Sequence, residues 1–181
     1  MGDSQPTVLL VYGSRFGQSK KIALAVGEVL QERGVAVDVQ ELSRQLQPDP
    51  PRHVGFALVT SVRYGHFDPQ AARFIDRYRS WLESVPTLLM TVSLTARNPE
   101  KRDPTIHLYT RKFLAKTGWT PSHTEVVAGA LEYPRYNFFD RKAIQLIMHM
   151  TQGPTDPTVS IEYTDWDQVR QAAADYAIAW Q

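Results

Sequence analysis

Short β-branched, apolar runs alternate along the whole chain with segments of helical period, and this alternation constrains the fold more than any other feature. Residues 7–12 form the first run and offer no polar position to solvent, so they predict a strand buried on both faces of a parallel sheet. Ile22, Val26, Val29 and Leu30 then recur at helical spacing within 18–33, and Gly34 supplies the stop. The pattern predicts further strands at 35–41, 54–60, 87–93, 125–130 and 159–163. It predicts further helices at 69–83, 101–116 and 165–180, the last capped by Asp165. This order is that of a three-layer, doubly wound α/β sheet, whose ligands lie beyond the carboxyl ends of the strands. At 181 residues, 43% hydrophobic and 22% charged, the chain 1–181 reads as a single globular domain.

Composition narrows the chemistry. The chain has no cysteine, which excludes disulfides, thiolate zinc sites, cysteine-ligated iron–sulfur clusters and a cysteine nucleophile. Redox chemistry would therefore need an organic cofactor. His53, His107, His123 and His149 are scattered without paired spacing, so no metal site is expected. A formal net charge of +1 gives no reason to expect a nucleic-acid partner. A homo-oligomer is compatible with this composition. Residues 1–6 lack the basic and apolar regions of a secretory signal, and no apolar stretch approaches the roughly 20 residues of a spanning helix. A cytoplasmic location is the expectation.

Three loops at the carboxyl edge of the sheet carry candidate binding groups. Between the first strand and helix stand Gly13, Ser14, Arg15, Phe16, Gly17, Gln18 and Ser19. Backbone N–H groups at a helix start, joined by the hydroxyls of Ser14 and Ser19, suit an anion. The same residues also read as ordinary helix-entry capping. The loop lacks both the three-glycine dinucleotide fingerprint and the Gly-Lys-Ser/Thr ending of triphosphate loops, so a mononucleotide phosphate fits it best. The third strand runs into Ser61, Val62, Arg63, Tyr64, Gly65 and His66, where Tyr64 can stack on a planar ring while Arg63 and His66 donate hydrogen bonds. The fourth ends in Ser93, Leu94, Thr95, Ala96 and Arg97. Surface decoration is the plainer reading of Arg63 and His66.

A simple doubly wound fold does not require the segment 133–158, which carries its own helix at 138–150. On a helical wheel Phe139, Ala143, Leu146, Ile147 and Met150 share one face, opposite Arg141, Lys142, Gln145 and His149. Between Arg97 and Lys142 the basic residues exceed the acidic by four. Basic charge beside an apolar, aromatic helix suits an anionic membrane surface, whereas packing on the sheet is the commoner use of such a face.

Ser14, Gly17 and Ser19 match the phosphate loop of the flavodoxin family, with Phe16 in place of an expected hydroxyl. Three longer runs resemble one flavodoxin-like branch, the menaquinone-dependent protoporphyrinogen IX dehydrogenases: Ser61 to His66, Ala96 to Arg102 and Gly129 to Tyr136. The similarity continues through Asp140 and Arg141, the helix to Met150, and Tyr163, Thr164, Asp165 and Trp166. The resemblance implies a flavodoxin-like sheet with a helical insertion in its last strand, and FMN held by Ser14–Ser19, Ser61, Tyr64, Gly65 and Ser93–Ala96. It implies oxidation of protoporphyrinogen IX to protoporphyrin IX, with electrons passed to menaquinone or a related quinone at the cytoplasmic face of the inner membrane. Arg63, Arg97 and His66 become catalytic candidates, and Arg135, Tyr136, Phe139 and Arg141 candidates for contact with substrate or membrane. The fourth-strand loop lacks the second aromatic common in flavodoxins, leaving one ring face open to a planar substrate or quinone. A soluble flavodoxin-type electron carrier and an NAD(P)H:quinone reductase remain as alternatives.

Overall fold

The computed structural model describes residues 7–180, so the reading of 1–6 as lacking a signal falls outside the described residues. Strands β1 (Thr7–Gly13), β2 (Ala36–Glu41), β3 (His53–Ser61), β4 (Thr87–Ser93) and β5 (His123–Ala128) form one parallel sheet in the order β2-β1-β3-β4-β5. From β1 the chain crosses first to β2 on one side and then to β3 on the other. The loops after β1 and β3 therefore diverge at a crevice on the carboxyl edge.

Successive β1 residues point to opposite faces and seed two cores. Val8 and Leu10 pack with Ile22, Val26 and Leu30 of α1 (Gln18–Glu32), and with Val169 and Ala173 of α6 (Trp166–Ala177). Leu9 and Val11 pack with Phe74 and Ile75 of α2 (Pro69–Arg77), Leu82 of α3 (Arg79–Leu82) and Phe113 of α4 (Leu108–Thr117). These are the three layers the alternation predicts. Tyr176 closes the first core from α6, its buried hydroxyl donating to the carbonyls of Phe56 and Pro86 at 2.9 and 3.0 Å.

Three expectations are corrected. The helix expected over 69–83 breaks at Tyr78 into α2 and α3. The helix expected from 101 begins only at Leu108, after turns at Leu94–Arg97 and Pro99–Lys101, with the His107 ring accepting the Thr110 N–H as cap. Pro104 disfavours helix at the residue before it, which explains the late start. The strands expected at 125–130 and 159–163 do not extend the main sheet as one strand. Beyond Gly129 the chain forms β6 (Ala130–Glu132), which pairs antiparallel with β7 (Ser160–Glu162) as a separate ribbon.

Between β6 and β7 lie a turn at Tyr133–Arg135 and helix α5 (Phe138–Met150), the latter with the bounds the periodicity gives. Asn137 caps α5 through its Oδ1, which accepts from the Asp140 N–H at 2.8 Å. Leu131, Tyr133, Tyr136 and Met148 form a small core of their own, joined by Phe16 and Ile144. Tyr133 is fully buried and donates to the Pro154 carbonyl at 2.9 Å. The face of α5 that the helical wheel marks as apolar is not its buried face. Phe139, Leu146 and Met150 stand exposed beside Phe138, while Asp140 and Met148 are buried.

Candidate functional site

The crevice opens into a cleft of about 930 Å³, its mouth included, walled by the three predicted loops and by α5. Ser14, Arg15, Phe16, Gln18 and Ser19 line it from the first loop; Ser61, Arg63, Tyr64 and Gly65 from the second; Ser93, Leu94 and Thr95 from the third. Two predicted residues stand behind this wall. Gly17, at φ +96°, makes the left-handed turn into α1, a conformation that favours glycine, and Ala96 is buried beneath the third loop.

The first loop is prepared for an anion. Among the described residues no side chain caps the first turn of α1 and no acidic residue stands in it, so its leading N–H groups and the positive end of the helix dipole are left for an anion at the cleft that Gln18 and Ser19 line. The Ser14 hydroxyl accepts the Gly17 N–H at 3.0 Å and keeps its own proton to donate. Ser19 is 1% exposed, and its hydroxyl has no hydrogen-bond partner among the described residues. A buried, unpaired hydroxyl at a helix N-terminus is what a bound phosphate would satisfy. The Gln18 amide is already engaged, donating to the Thr164 hydroxyl at 2.8 Å.

The second loop is held in an unusual backbone state. Tyr64 and Gly65 have φ of +49° and +76°, so a tyrosine occupies the left-handed region that non-glycine residues seldom adopt. The Tyr64 hydroxyl and the Arg63 guanidinium both donate to Oδ1 of Asp140, and the guanidinium also lies 4.8 Å from the Tyr64 ring centroid. The Tyr64 hydrogen bond, then the Arg63 partner, hold the Asp140 carboxyl below the ordinary carboxylate range despite its burial. His66 lies exposed at the far end of this loop and does not line the cleft. Its Nδ1 sits 2.8 Å from the Tyr64 carbonyl, which can only accept, so Nδ1 donates to it.

The third loop is locked by hydroxyls. Ser93 and Thr95 pair at 2.9 Å, and Thr95 meets His107 Nε2 at 3.2 Å. His107 Nδ1 accepts the Thr110 N–H, and burial pushes the imidazole below its ordinary pKa, so it is neutral with its proton on Nε2.

The predicted arginines divide. Arg63 lines the cleft. Arg97 does not: its guanidinium donates to the Leu94 carbonyl at 3.1 Å and to the carbonyl and hydroxyl of Thr151 at 2.7 and 2.8 Å, tying the third loop to the end of α5. Arg135 donates to the Phe16 carbonyl at 2.5 Å and to Glu132 at 2.8 Å, bracing the first loop against the insertion. Arg141 holds the Tyr136 carbonyl at 3.3 Å. Tyr136 lines the cleft and packs on Phe16 at 4.8 Å, whereas Phe139 is 81% exposed and points to solvent.

Asp140, Ile144 and Ile147 of α5 complete the wall, and Tyr109 joins it from α4. Gly65 packs against Tyr109 so closely that a Cβ there would meet its ring at 3.0 Å. Neither Asp140 nor Tyr109 carries a sequence signal of its own for this position. Among the described residues no group of three or more His, Asp or Glu side chains is placed to hold a metal ion, and no helix is long and apolar enough to cross a membrane.

Similar proteins agree with this geometry. The flavodoxin domain family matches residues 9–158. A protein of Escherichia coli (strain K12) named protoporphyrinogen IX dehydrogenase (quinone) is 38% identical over 93% of this chain and 93% of its own length. A protein of Leishmania major with the same name is 39% identical over 98% of this chain and 77% of its own length. Among solved structures, oxidised flavodoxin 1 from Bacillus cereus superposes with a TM-score of 0.54 at 12% identity, covering 94% of this chain and 96% of that one. A flavodoxin from the domain Archaea gives 0.52 at 14% identity over 95% and 96%. The chain therefore belongs to the flavodoxin domain family, among the oxidoreductases named protoporphyrinogen IX dehydrogenase (quinone).

Proposed function

We propose that this chain, acting as one FMN-binding domain with 133–158 as its insertion, oxidises protoporphyrinogen IX to protoporphyrin IX in haem biosynthesis and passes the electrons to menaquinone or a related quinone. The observation that carries the reading is the pairing, in one cleft, of an anion-ready helix start with a wall supplied by the insertion. The first feature suits the phosphate of FMN. The second builds, beyond the flavin bed, a mostly apolar enclosure with guanidinium groups at its edge, which suits a large tetrapyrrole bearing carboxylates.

A bound flavin supplies the two-electron redox capacity that this cysteine-free chain lacks. Each of three such steps removes two electrons and two protons from the porphyrinogen and reduces one quinone to quinol. The protein's part is to bind and orient. Ser14, Ser19 and the first N–H groups of α1 hold the phosphate, and Tyr64 and Tyr109 offer ring surface to the flavin or substrate plane. Arg63 and Arg15 present guanidinium groups to the substrate propionates. His66 lies outside the cleft wall and takes no part in this scheme. Arg97 and Arg135 keep the loops and insertion in register and act as positioning residues.

The exposed Phe138, Phe139, Leu146 and Met150 stand on α5 beside Lys142 and His149, a pattern that suits shallow insertion into an anionic bilayer where a quinone could enter. The test follows porphyrin fluorescence under anaerobic conditions after FMN-loaded protein is mixed with protoporphyrinogen IX, with and without a menaquinone analogue. Quinone-dependent growth of fluorescence is expected. Its absence with flavin bound and reducible would overturn the reading, and turnover driven by NAD(P)H instead would establish a reductase.

A further inference from the structure

Asp140 is a buried carboxylate with more cations than it can use. It is 5% exposed, and its Oδ1 accepts from both the Tyr64 hydroxyl and the Arg63 guanidinium. Among the described residues its Oδ2 has no hydrogen-bond partner; the Arg15 guanidinium makes only an ion pair with it at 3.7 Å, beyond hydrogen-bond distance. Arg15 belongs to the loop before α1, Arg63 to the loop after β3 and Asp140 to the insertion, and all three line the cleft. Two guanidinium groups from two loops thus converge on a single carboxylate, and one of the two contacts is half-made.

A purely structural latch between insertion and loop would be better served by a complete bidentate pair, with a forked guanidinium matched to both oxygens. The half-made arrangement is what remains when one short, tethered carboxylate occupies a place shaped for a freely docking one. Asp140 can also yield the place cheaply. It is the residue whose N–H the α5 cap Asn137 accepts, so its charge lies in the first turn, where the helix dipole favours an anion, and Tyr64 still donates to it. Removing a cation does not strand it.

We infer that Asp140 is a built-in stand-in for a substrate carboxylate: in the ligand-free protein it holds Arg63 and Arg15 at the cleft wall, and a propionate arm of the tetrapyrrole displaces it from them. The inference rests on the proposed substrate and adds the group that sets the preference for free-acid tetrapyrroles. The exchange also explains how two arginines stay aimed into the cleft before substrate arrives, since unpaired arginine side chains would otherwise sample many rotamers.

The test compares FMN-loaded wild-type protein with Asp140→Asn, titrated with protoporphyrin IX and with its dimethyl ester in the same detergent, and reads porphyrin fluorescence. The ester keeps the ring and lacks both anionic arms. Asp140→Asn is expected to bind the free acid roughly tenfold more tightly, about the value of one hydrogen bond to a charged group, and to leave the ester unchanged. Arg63→Ala is expected to weaken the acid and spare the ester. Asp140→Ala, checked for folding by circular dichroism, should act in the same direction as Asp140→Asn. An unchanged or weaker grip on the acid in both Asp140 variants, or equal shifts for acid and ester, would overturn the stand-in role while leaving the substrate assignment intact. If wild-type protein bound neither porphyrin, the substrate assignment would fall, and this inference with it.

Discussion

Replacing Ser19 with alanine separates two effects that usually travel together. The side chain is buried at the second position of α1, and its hydroxyl finds no hydrogen-bond partner among the described residues. An unsatisfied buried hydroxyl costs roughly 1–3 kcal/mol, so deleting it relieves the ligand-free protein. Alanine also improves helix propensity, by up to about 0.7 kcal/mol, and the two terms share a sign. A net gain of about 1 kcal/mol raises the melting temperature of a domain this size by about 2–4 °C. Toward FMN the sign reverses. A hydroxyl donating to a phosphate is worth about 1.5–3 kcal/mol, so affinity should fall roughly tenfold to a hundredfold. Melting of ligand-free protein by circular dichroism gives the first quantity, and quenching of flavin fluorescence gives the second. A variant that melts lower without FMN, or binds FMN as tightly as wild type, would refute the assignment of this hydroxyl to the phosphate.

Burial depresses the His107 pKa below the ordinary 6.5, so the unfolded chain takes up its proton first. The stability from neutral His107 is therefore full above about pH 6.5 and falls as the pH drops toward its folded pKa, and His107→Gln should flatten that fall in urea midpoints measured between pH 7.5 and 5.5. Tyr133→Phe strands the Pro154 carbonyl and should cost roughly 1–3 kcal/mol, seen as faster hydrogen exchange within 133–159 while β1, β3 and β4 stay protected. Phe139→Glu with Leu146→Glu removes two exposed apolar side chains, and sedimentation with anionic vesicles should show binding falling by tenfold or more, with cleft chemistry in detergent retained.

The sheet was legible because buried strands announce themselves locally. β4 has the bounds its unbroken apolar run implies, and α5 those of its period. The break at Tyr78 has no comparable local cause: the residues on either side suit a helix, and packing of Phe74 and Leu82 into the second core decides the geometry. Pro104 did carry a warning that the helix of α4 starts late. The anion-ready first loop was readable because its chemistry lies within seven consecutive residues. The arginines were not, since a guanidinium stands several bonds from its backbone and its partner can lie anywhere within that reach. Only the fold reveals that Arg97 reaches Thr151 and Arg135 reaches Phe16. Asp140 is the plainest case. A lone acid in the first turn of an amphipathic helix looks like solvent-facing dipole compensation, and its partners lie 76 and 77 residues away. The period of α5 shows its apolar stripe, but nothing in a wheel says which side of it meets the protein.

The excursion from the sheet leaves and returns through almost one point. Gly129 sits at the end of β5, and its carbonyl accepts the Tyr163 N–H at 3.0 Å, just past the ribbon of β6 and β7. Everything between carries its own small core and cap. Such a neck makes the insertion a cassette. Because closure entropy rises only slowly with loop length, residues between the two sides of the neck can be lengthened, shortened or exchanged at small cost to the parallel sheet beneath. Selection can then reshape that wall of the cleft while leaving the anion-ready start of α1 as it was, so one inherited helix start can stand beneath a succession of different walls.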